Sequence, residues 1–461
     1  MKRRDLLKAG APLLLAPWLP GCGSSSSPIN GGGSNPPPGR NNIARGLHVS
    51  WTGDPHTTRA VTWFTDGLNA SEGAVEFGQG DFSKTARAAA SQAYDIDVLT
   101  HRAQLTGYDP ERPLQYRVRH GGDSLSATYT LKPMPRGAFR FAHFGDHGTS
   151  EFSRLVREGI LRRGVDFVLI AGDLSYANGD QPIWDTWFNQ IEHMSASLPV
   201  LCAAGNHEEK DGNGSAYKTR LSQPGNGRYY AYDFNNVRFI VSTGGAFIAD
   251  GTLLAELLWL ETELAQAALR RARGEIDFIA FVQHFTIWTD EEGRSPNNPT
   301  LVLLEENILL RYGVDLLLVG HDHEYQRSRA MAFGQPRETG YVQVCGGGGG
   351  VGIRSFSGQS AWSAAQHLRY SFIEYAVEGR HIKAQAWAVD TPDLQPSSQL
   401  TLIDEFELTA RSPQARNEAV LPIRDAGTLM AQSGANWRYV EAHTRLRNAR
   451  HLHQAIWHEH A

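Results

Sequence analysis

Five apolar runs between Phe139 and His323 read as buried strands, and each stops at a side chain able to bind a metal. The runs are Phe139 to Phe144 ahead of Gly145-Asp146-His147-Gly148, Phe167 to Ala171 ahead of Gly172-Asp173-Leu174-Ser175-Tyr176, and Val200 to Ala204 ahead of Gly205-Asn206-His207-Glu208. Two more are Phe278 to Gln283 ahead of His284, and Leu316 to Val319 ahead of Gly320-His321-Asp322-His323. Between them apolar residues recur at helical spacing: Phe152, Leu155, Val156 and Ile160, then Ile183, Trp184, Trp187, Phe188 and Ile191. Further helical runs cover Leu253 to Leu269 and Leu301 to Tyr312, the second stopped by Gly313 as a C-terminal cap. Strand and helix alternate, which predicts an α/β domain with a mostly parallel sheet covered by helices.

From Ala44 to Pro135 the rhythm is different. Short alternating runs such as Ala60 to Thr65, Ala74 to Phe77 and Tyr116 to His120 are separated by breakers such as Asp66-Gly67 and Asp109-Pro110, and no helix is predicted. This pattern predicts a small β-sandwich. A chain of 461 residues accommodates it together with the α/β domain.

Loops that follow the carboxyl ends of strands in an open α/β sheet converge on one crevice, so five such ends can assemble one centre. Asp, Tyr, Asn and His mix hard oxygen with imidazole nitrogen, a set that suits iron, zinc or manganese rather than calcium or a thiolate cluster. Seven donors exceed the needs of one tetrahedral ion. A second ion with a bridging carboxylate accounts for the surplus, and two metals about 3.5 to 4 Å apart form a clamp for displacement at phosphorus. Phosphate-ester hydrolysis is the reaction this predicts.

At these residues the sequence resembles the purple acid phosphatases of the calcineurin-like metallophosphoesterase superfamily. Four motifs match letter for letter: G-D-x-G at Gly145 to Gly148, G-D-x-x-Y at Gly172 to Tyr176, G-N-H-[DE] at Gly205 to Glu208, and G-H-x-H at Gly320 to His323. In the fifth, V-x-x-H, Phe281 replaces Val while His284 keeps its place. The resemblance implies that Asp146, Tyr176 and His323 hold a ferric ion, that Asn206, His284 and His321 hold a divalent ion (zinc, manganese or iron), and that Asp173 bridges them. It implies two facing sheets in an αββα sandwich, preceded by a fibronectin type III-like β-sandwich in which a Tyr pins a corner, near Leu105 to Pro110 and Tyr116. A hydroxide between two cations is a nucleophile below neutral pH. His207, next to a ligand and itself spared, is assigned to hydrogen-bond the phosphate and protonate the leaving oxygen.

Plant-type members carry phosphate-contacting His residues about ten positions after the V-x-x-H ligand, and Phe285 to Pro296 contains none. Arg294 stands there, either as a substitute phosphate contact or as a solvated loop arginine.

Net charge is −5, and no basic run beyond the extreme N-terminus suggests a nucleic-acid surface. Residues 1–22 read as an export signal. Met1 to Lys8 resembles a twin-arginine signal, an ordinary secretory signal being the alternative, and Leu19-Pro20-Gly21-Cys22 resembles a bacterial lipoprotein cleavage site with Cys22 lipidated. Residues 23–43, rich in Ser, Gly and Pro, read as a flexible tether, either for a membrane-anchored protein or for a soluble periplasmic or secreted one. Cys202 and Cys345 read as buried small hydrophobes, with pairing the alternative. Gly346 to Gly350 lacks the Gly-Lys-Ser/Thr of a P-loop and reads as a loop packed close to backbone or substrate. The catalytic domain is expected over 136–410, and the His-rich stretch 411–461 is expected to be a polar tail.

The expected function is that of an exported binuclear acid phosphatase acting on small phosphate monoesters. A phosphodiesterase or nucleotide hydrolase on the same metals, or a non-catalytic surface binding protein, are the alternatives.

Overall fold

The computed structural model describes residues 42–411 apart from 69, 93–95, 122–123 and 246–252. The signal, Cys22, most of the linker and the His-rich tail lie outside the described residues.

The first layer pair is a β-sandwich. Strands Arg45–Ser50, Arg59–Asp66, Val98–Leu105 and Ala89–Gln92 form one antiparallel sheet. Lys84–Arg87, Gly73–Gly78, Leu114–His120 and Ser124–Leu125 form the other, with Tyr129–Leu131 also pairing Leu114–His120. Alternation turns Leu47, Val49, Val61, Trp63, Val75, Tyr116 and Val118 into a common core.

The α/β part contains two facing sheets, as expected. In the six-stranded sheet, Val200–Ala203, Phe167–Ala171 and Phe139–Phe144 run parallel and continue antiparallel into Ser371–Glu378, His381–Asp390 and Pro396–Thr409. In the seven-stranded sheet the parallel core is Val237–Val241, Phe278–Val282, Leu316–Val319 and Val342–Gly346.

The period of two in each strand divides these side chains. Phe139, Phe141, Phe167 and Leu169 meet Phe239, Phe278, Ala280, Leu316 and Leu318 between the sheets. On the outer face, Ala142, Val168 and Ile170 pack on helices Glu151–Arg163 and Gln181–Ser195 through Leu155, Ile160, Trp184, Trp187 and Ile191. Ile279, Phe281 and Leu317 pack outward against Leu260, Leu264 and Ile308. That is the αββα order. No helix among the described residues is long and apolar enough to cross a membrane.

Three local expectations are corrected. The run Leu301 to Tyr312 is not one α-helix: Val302–Glu306 is a π-helical turn between Pro299–Leu301 and Asn307–Arg311, with the successive carboxylates Glu305 and Glu306 both buried. Gly313 follows at φ 68°, as a left-handed stop should. The strand before His284 ends at Val282, and the strand before Gly205 ends at Ala203. The tyrosine expected to pin a sandwich corner acts elsewhere, for Tyr116 donates its hydroxyl to the carbonyl of Ala196 at the end of helix Gln181–Ser195. The sandwich and the α/β layers form one compact unit.

Candidate metal centre

All five strand ends deliver their polar side chains to one place. Tyr176 donates its hydroxyl to Asp146 Oδ1 at 2.9 Å and lies 3.1 Å from His323 Nε2, which is 3.4 Å from Asp146 Oδ1. Beside this trio, His284 Nε2 lies 3.1 Å from Asn206 Oδ1, 3.1 Å from His321 Nδ1 and 3.2 Å from Asp173 Oδ2. The two groups are joined by the His321 backbone N–H, which donates to Asp146 Oδ2 at 2.7 Å. Asp173, His284 and His321 together present a set of atoms close enough to hold one cation.

Backbone strain marks the same residues. Asp146, Asp173, Tyr176 and His321 have φ of 56°, 51°, 59° and 71°, the left-handed region that side chains other than glycine seldom occupy. Such strain persists only where the surroundings enforce it, and it gathers at functional sites. The motif glycines make the crowding tolerable. A Cβ on Gly205 would lie 2.2 Å from Asp173 Oδ1, and one on Gly172 would lie 2.6 Å from His284 Nδ1.

Two imidazoles have their tautomer set. His284 Nδ1 pairs with the carbonyl of Ala171 at 2.7 Å and His323 Nδ1 with that of Gly352 at 2.9 Å, so each Nε2 keeps its lone pair toward the centre. His321 differs. Arg294 Nη1 lies 2.7 Å from its Nε2, and because a guanidinium only donates, the neutral ring carries its proton on Nδ1. A cation on Nδ1 would move the ring proton to Nε2, where it would face the Arg294 donor.

Charge is concentrated here. Burial disfavours a charged His284, yet Asp173 and Asp146 beside it push its pKa up to about 9. Burial likewise opposes ionisation of Asp173, but His284 and His207 draw it down to about 2. The Tyr176 hydroxyl is held well above its ordinary range by burial and by Asp146 and Asp173. The two carboxylates thus favour positive charge at this point, the role that a cation would fill.

His207 stands at the rim, its Nε2 3.6 Å from Asp173 Oδ2, its Nδ1 2.5 Å from Asn178 Oδ1, and its ring 4.2 Å from that of Tyr176. Burial pulls its pKa down to about 4, with Asp173 restoring it only in part.

Arg294 reaches the centre but is no solvated loop residue. Its Nε lies 2.7 Å from Glu291 Oε1 and 2.8 Å from Asp322 Oδ1, and Nη2 donates to the His321 carbonyl at 3.1 Å. Glu291, Asp322 and Glu324 form a buried carboxylate group behind the G-H-x-H loop, and the guanidinium inserted between Glu291 and Asp322 neutralises part of it. Every hydrogen bond and ion pair of the Arg294 guanidinium among the described residues is to a protein group.

Sequence reasoning gave no role to Glu208, although its letter belongs to a matched motif. Its buried carboxylate accepts the N–H groups of Asp173, Leu174 and Gly205 at 2.8 to 2.9 Å, tying two ligand loops together. Burial and Asp173 push its pKa up to about 8, against these donors. The glycine run also has a definite place: a Cβ on Gly347 would lie 1.9 Å from the carbonyl oxygen of Asp322, and one on Gly349 would lie 2.0 Å from that of Gly145. Cys202 and Cys345 are free and buried on the outer faces of opposite sheets, which excludes pairing between them.

Residues 139–325 match the calcineurin-like phosphoesterase family, and residues 44–132 match the purple acid phosphatase N-terminal domain. The chain is 31% identical to acid phosphatase type 7 of Mus musculus, over 61% of this chain and 70% of that protein. It is 25% identical to purple acid phosphatase 21 of Arabidopsis thaliana, over 66% and 71% of the two chains. An uncharacterised protein of Mycobacterium tuberculosis is 27% identical, and there the match covers 62% of each chain. The structure of purple acid phosphatase PPD1 from yellow lupin seeds shares the fold, with a TM-score of 0.70 at 20% identity over 83% of this chain and 77% of that one.

Proposed function

Because the chain belongs to the purple acid phosphatase-like proteins, calcineurin-like metallophosphoesterases with a purple acid phosphatase N-terminal domain, we propose that it hydrolyses phosphate monoesters on a pair of metal ions. The observation that carries this reading is the convergence of seven oxygen and imidazole donors from five strand ends, each within 3.4 Å of a neighbouring donor, in two linked groups.

The donor chemistry fits two cations. Asp146, Tyr176 and His323 would hold a ferric ion, and Asn206, His284 and His321 a divalent one, zinc, manganese or iron, with Asp173 shared between them. When bound, such a pair supplies positive charge that activates water and neutralises phosphoryl oxygens.

The remaining work falls to the chain. Asp173 and the preset rings of His284 and His323 fix the donors before any ligand arrives, so little reorganisation is needed at the moment of reaction. Glu208 holds the Asp173 loop to the Asn206 loop. His207 faces the open side, where its Nε2 hydrogen-bonds the phosphate and passes a proton to the leaving oxygen, while Asn178 holds Nδ1. We also propose that residues 1–22 export the protein from a bacterial cytoplasm and that Cys22 anchors it by lipid, with 23–43 as the tether. Palmitate incorporation that a Cys22→Ser variant loses supports the anchor, and absence of label from the parent removes it.

Comparing turnover of a nitrophenyl phosphate monoester with that of the bis-ester, alongside elemental analysis, tests the main reading. Monoester preference with two ions per chain supports it. Bis-ester preference moves the protein to the phosphodiesterases, and one ion or none at full loading defeats the two-metal assignment.

A further inference from the structure

We propose that Arg354 is the side chain that grips the phosphate group of the substrate, a specificity residue that none of the sequence motifs includes; the proposal rests on the phosphatase reading above. Arg354 follows the glycine run, and its position relative to the centre is fixed by three hydrogen bonds, two of them between backbone groups. Its own N–H donates to the carbonyl of His323 at 3.1 Å, the carbonyl of Gly352 pairs with His323 Nδ1 at 2.9 Å, and the carbonyl of Ser355 accepts the N–H of Glu292 at 2.8 Å. The residue is thereby tied to the proposed ligand His323 on the N-terminal side of its Cα and to Glu292 on the other.

The guanidinium is aimed by Glu291. Its Nη1 lies 2.9 Å from Glu291 Oε1, the same oxygen that meets Arg294 Nε at 2.7 Å, while Glu291 Oε2 accepts the N–H of His323 at 3.0 Å. One carboxylate therefore sets two arginines beside the G-H-x-H loop. They are not equivalent. Arg294 has 26% of its side chain exposed and spends its donors on Glu291, Asp322 and His321. Arg354 has 41% of its side chain exposed, and its guanidinium has no hydrogen-bond or ion-pair partner besides Glu291 among the described residues.

An open, carboxylate-oriented fork beside a cation site matches a phosphate dianion, since two parallel N–H groups can meet two of its oxygens. Holding the non-reacting oxygens there would orient the phosphorus toward the donors without occupying them.

The test compares the parent, Arg354→Ala and Arg354→Lys as full chains of measured metal content. The readouts are nitrophenyl phosphate kinetics, competitive inhibition by inorganic phosphate, and calorimetric phosphate binding. The alanine variant should raise KM and the phosphate inhibition constant roughly tenfold, the scale of a lost charged hydrogen bond, with a smaller change in kcat and unchanged metal content. Lysine should recover part of the loss, because it keeps the charge but not the fork.

Unchanged KM and phosphate inhibition in the alanine variant at full metal loading overturn the proposal. So does loss of metal from that variant, which would make Arg354 a support for His323. A parent that holds fewer than two ions or fails to turn over defeats the phosphatase reading instead, and calorimetry then decides Arg354 separately: tenfold weaker phosphate binding in the alanine variant upholds the contact, and equal binding removes it.

Discussion

The carboxylate of Glu208 accepts the backbone N–H of Asp173 at 2.9 Å, and through that contact a residue outside the proposed coordination sphere controls one inside it. Two further N–H groups, from Leu174 and Gly205, complete the clamp. A glutamine at this position turns an amide N–H₂ toward a backbone donor, so Glu208→Gln should cost about 1 to 3 kcal/mol and leave a buried donor unsatisfied. Because the clamped loops carry Asp173 and Asn206, the variant should also lose the divalent ion first. Denaturant midpoints with elemental analysis decide it: parental stability together with full metal content would show that the three bonds are incidental.

The Tyr176 hydroxyl is buried between Asp146 and His323, and its environment raises its pKa, so only a strongly polarising cation would draw off the proton. Iron-loaded protein is therefore predicted to absorb visible light through a tyrosinate-to-ferric transition. Tyr176→Phe should abolish that band while the far-ultraviolet dichroism stays parental. A band that survives the substitution would remove Tyr176 from the coordination sphere.

Histidines buried in the sandwich predict acid sensitivity. Burial draws both His48 and His101 down to about 4, well below the value of an unfolded chain. The unfolded state then binds more protons between pH 6.5 and 4, so stability rises with pH across that window. It is fully present above pH 6.5 and lost as the pH falls toward 4, by an amount on the order of 1 to 3 kcal/mol. Melting temperatures of the metal-saturated parent should therefore drop between pH 7 and 5, and more steeply than those of His48→Gln. Parallel curves for the two proteins would show that His48 is not a source of the sensitivity.

How much of this was legible in the sequence follows from how local each cause is. The strand ends declared themselves because each apolar run stops at a donor such as Asp146 or His284, whereas the αββα layer order was expected from the resemblance alone, since both Phe141 and Ala142 are apolar and do not say which face meets the second sheet. The glycine run was legible only as something tightly packed. Its reason is a carbonyl of Asp322, some 25 residues earlier, and one of Gly145, some 200 residues earlier, and no local pattern carries such contacts. Arg354 was missed for the same reason, since its claim rests on Glu291 and His323. Tyr116 was read as a sandwich residue because its strand is one, while its hydroxyl answers to a helix of the neighbouring layers. The π-helical turn contains two buried carboxylates, Glu305 and Glu306, and a periodicity built on apolar residues does not register them.

The join between the sandwich and the α/β layers gives a prediction that separates stability from chemistry. Glu192, on helix Gln181–Ser195, accepts the N–H of Gly46 at 2.7 Å, that of Leu47 at 3.2 Å and the hydroxyl of Tyr129 at 2.6 Å. Ser195 Oγ donates to the Leu47 carbonyl at 2.9 Å, and Tyr116 reaches Ala196 at 2.7 Å. Strand Arg45–Ser50 thus depends on a helix whose opposite face lies under the six-stranded sheet, and the two parts should unfold in one transition. Glu192→Leu leaves two backbone donors and a hydroxyl without their acceptor and should cost about 2 to 4 kcal/mol. With metal saturating and the temperature well below the transition, kcat and KM should stay parental, because none of these groups touches the proposed centre. Scanning calorimetry should show the single parental transition splitting as the sandwich melts first. Two transitions already present in the parent, or a loss of kcat without loss of stability, would mean that the join does something other than hold the layers together.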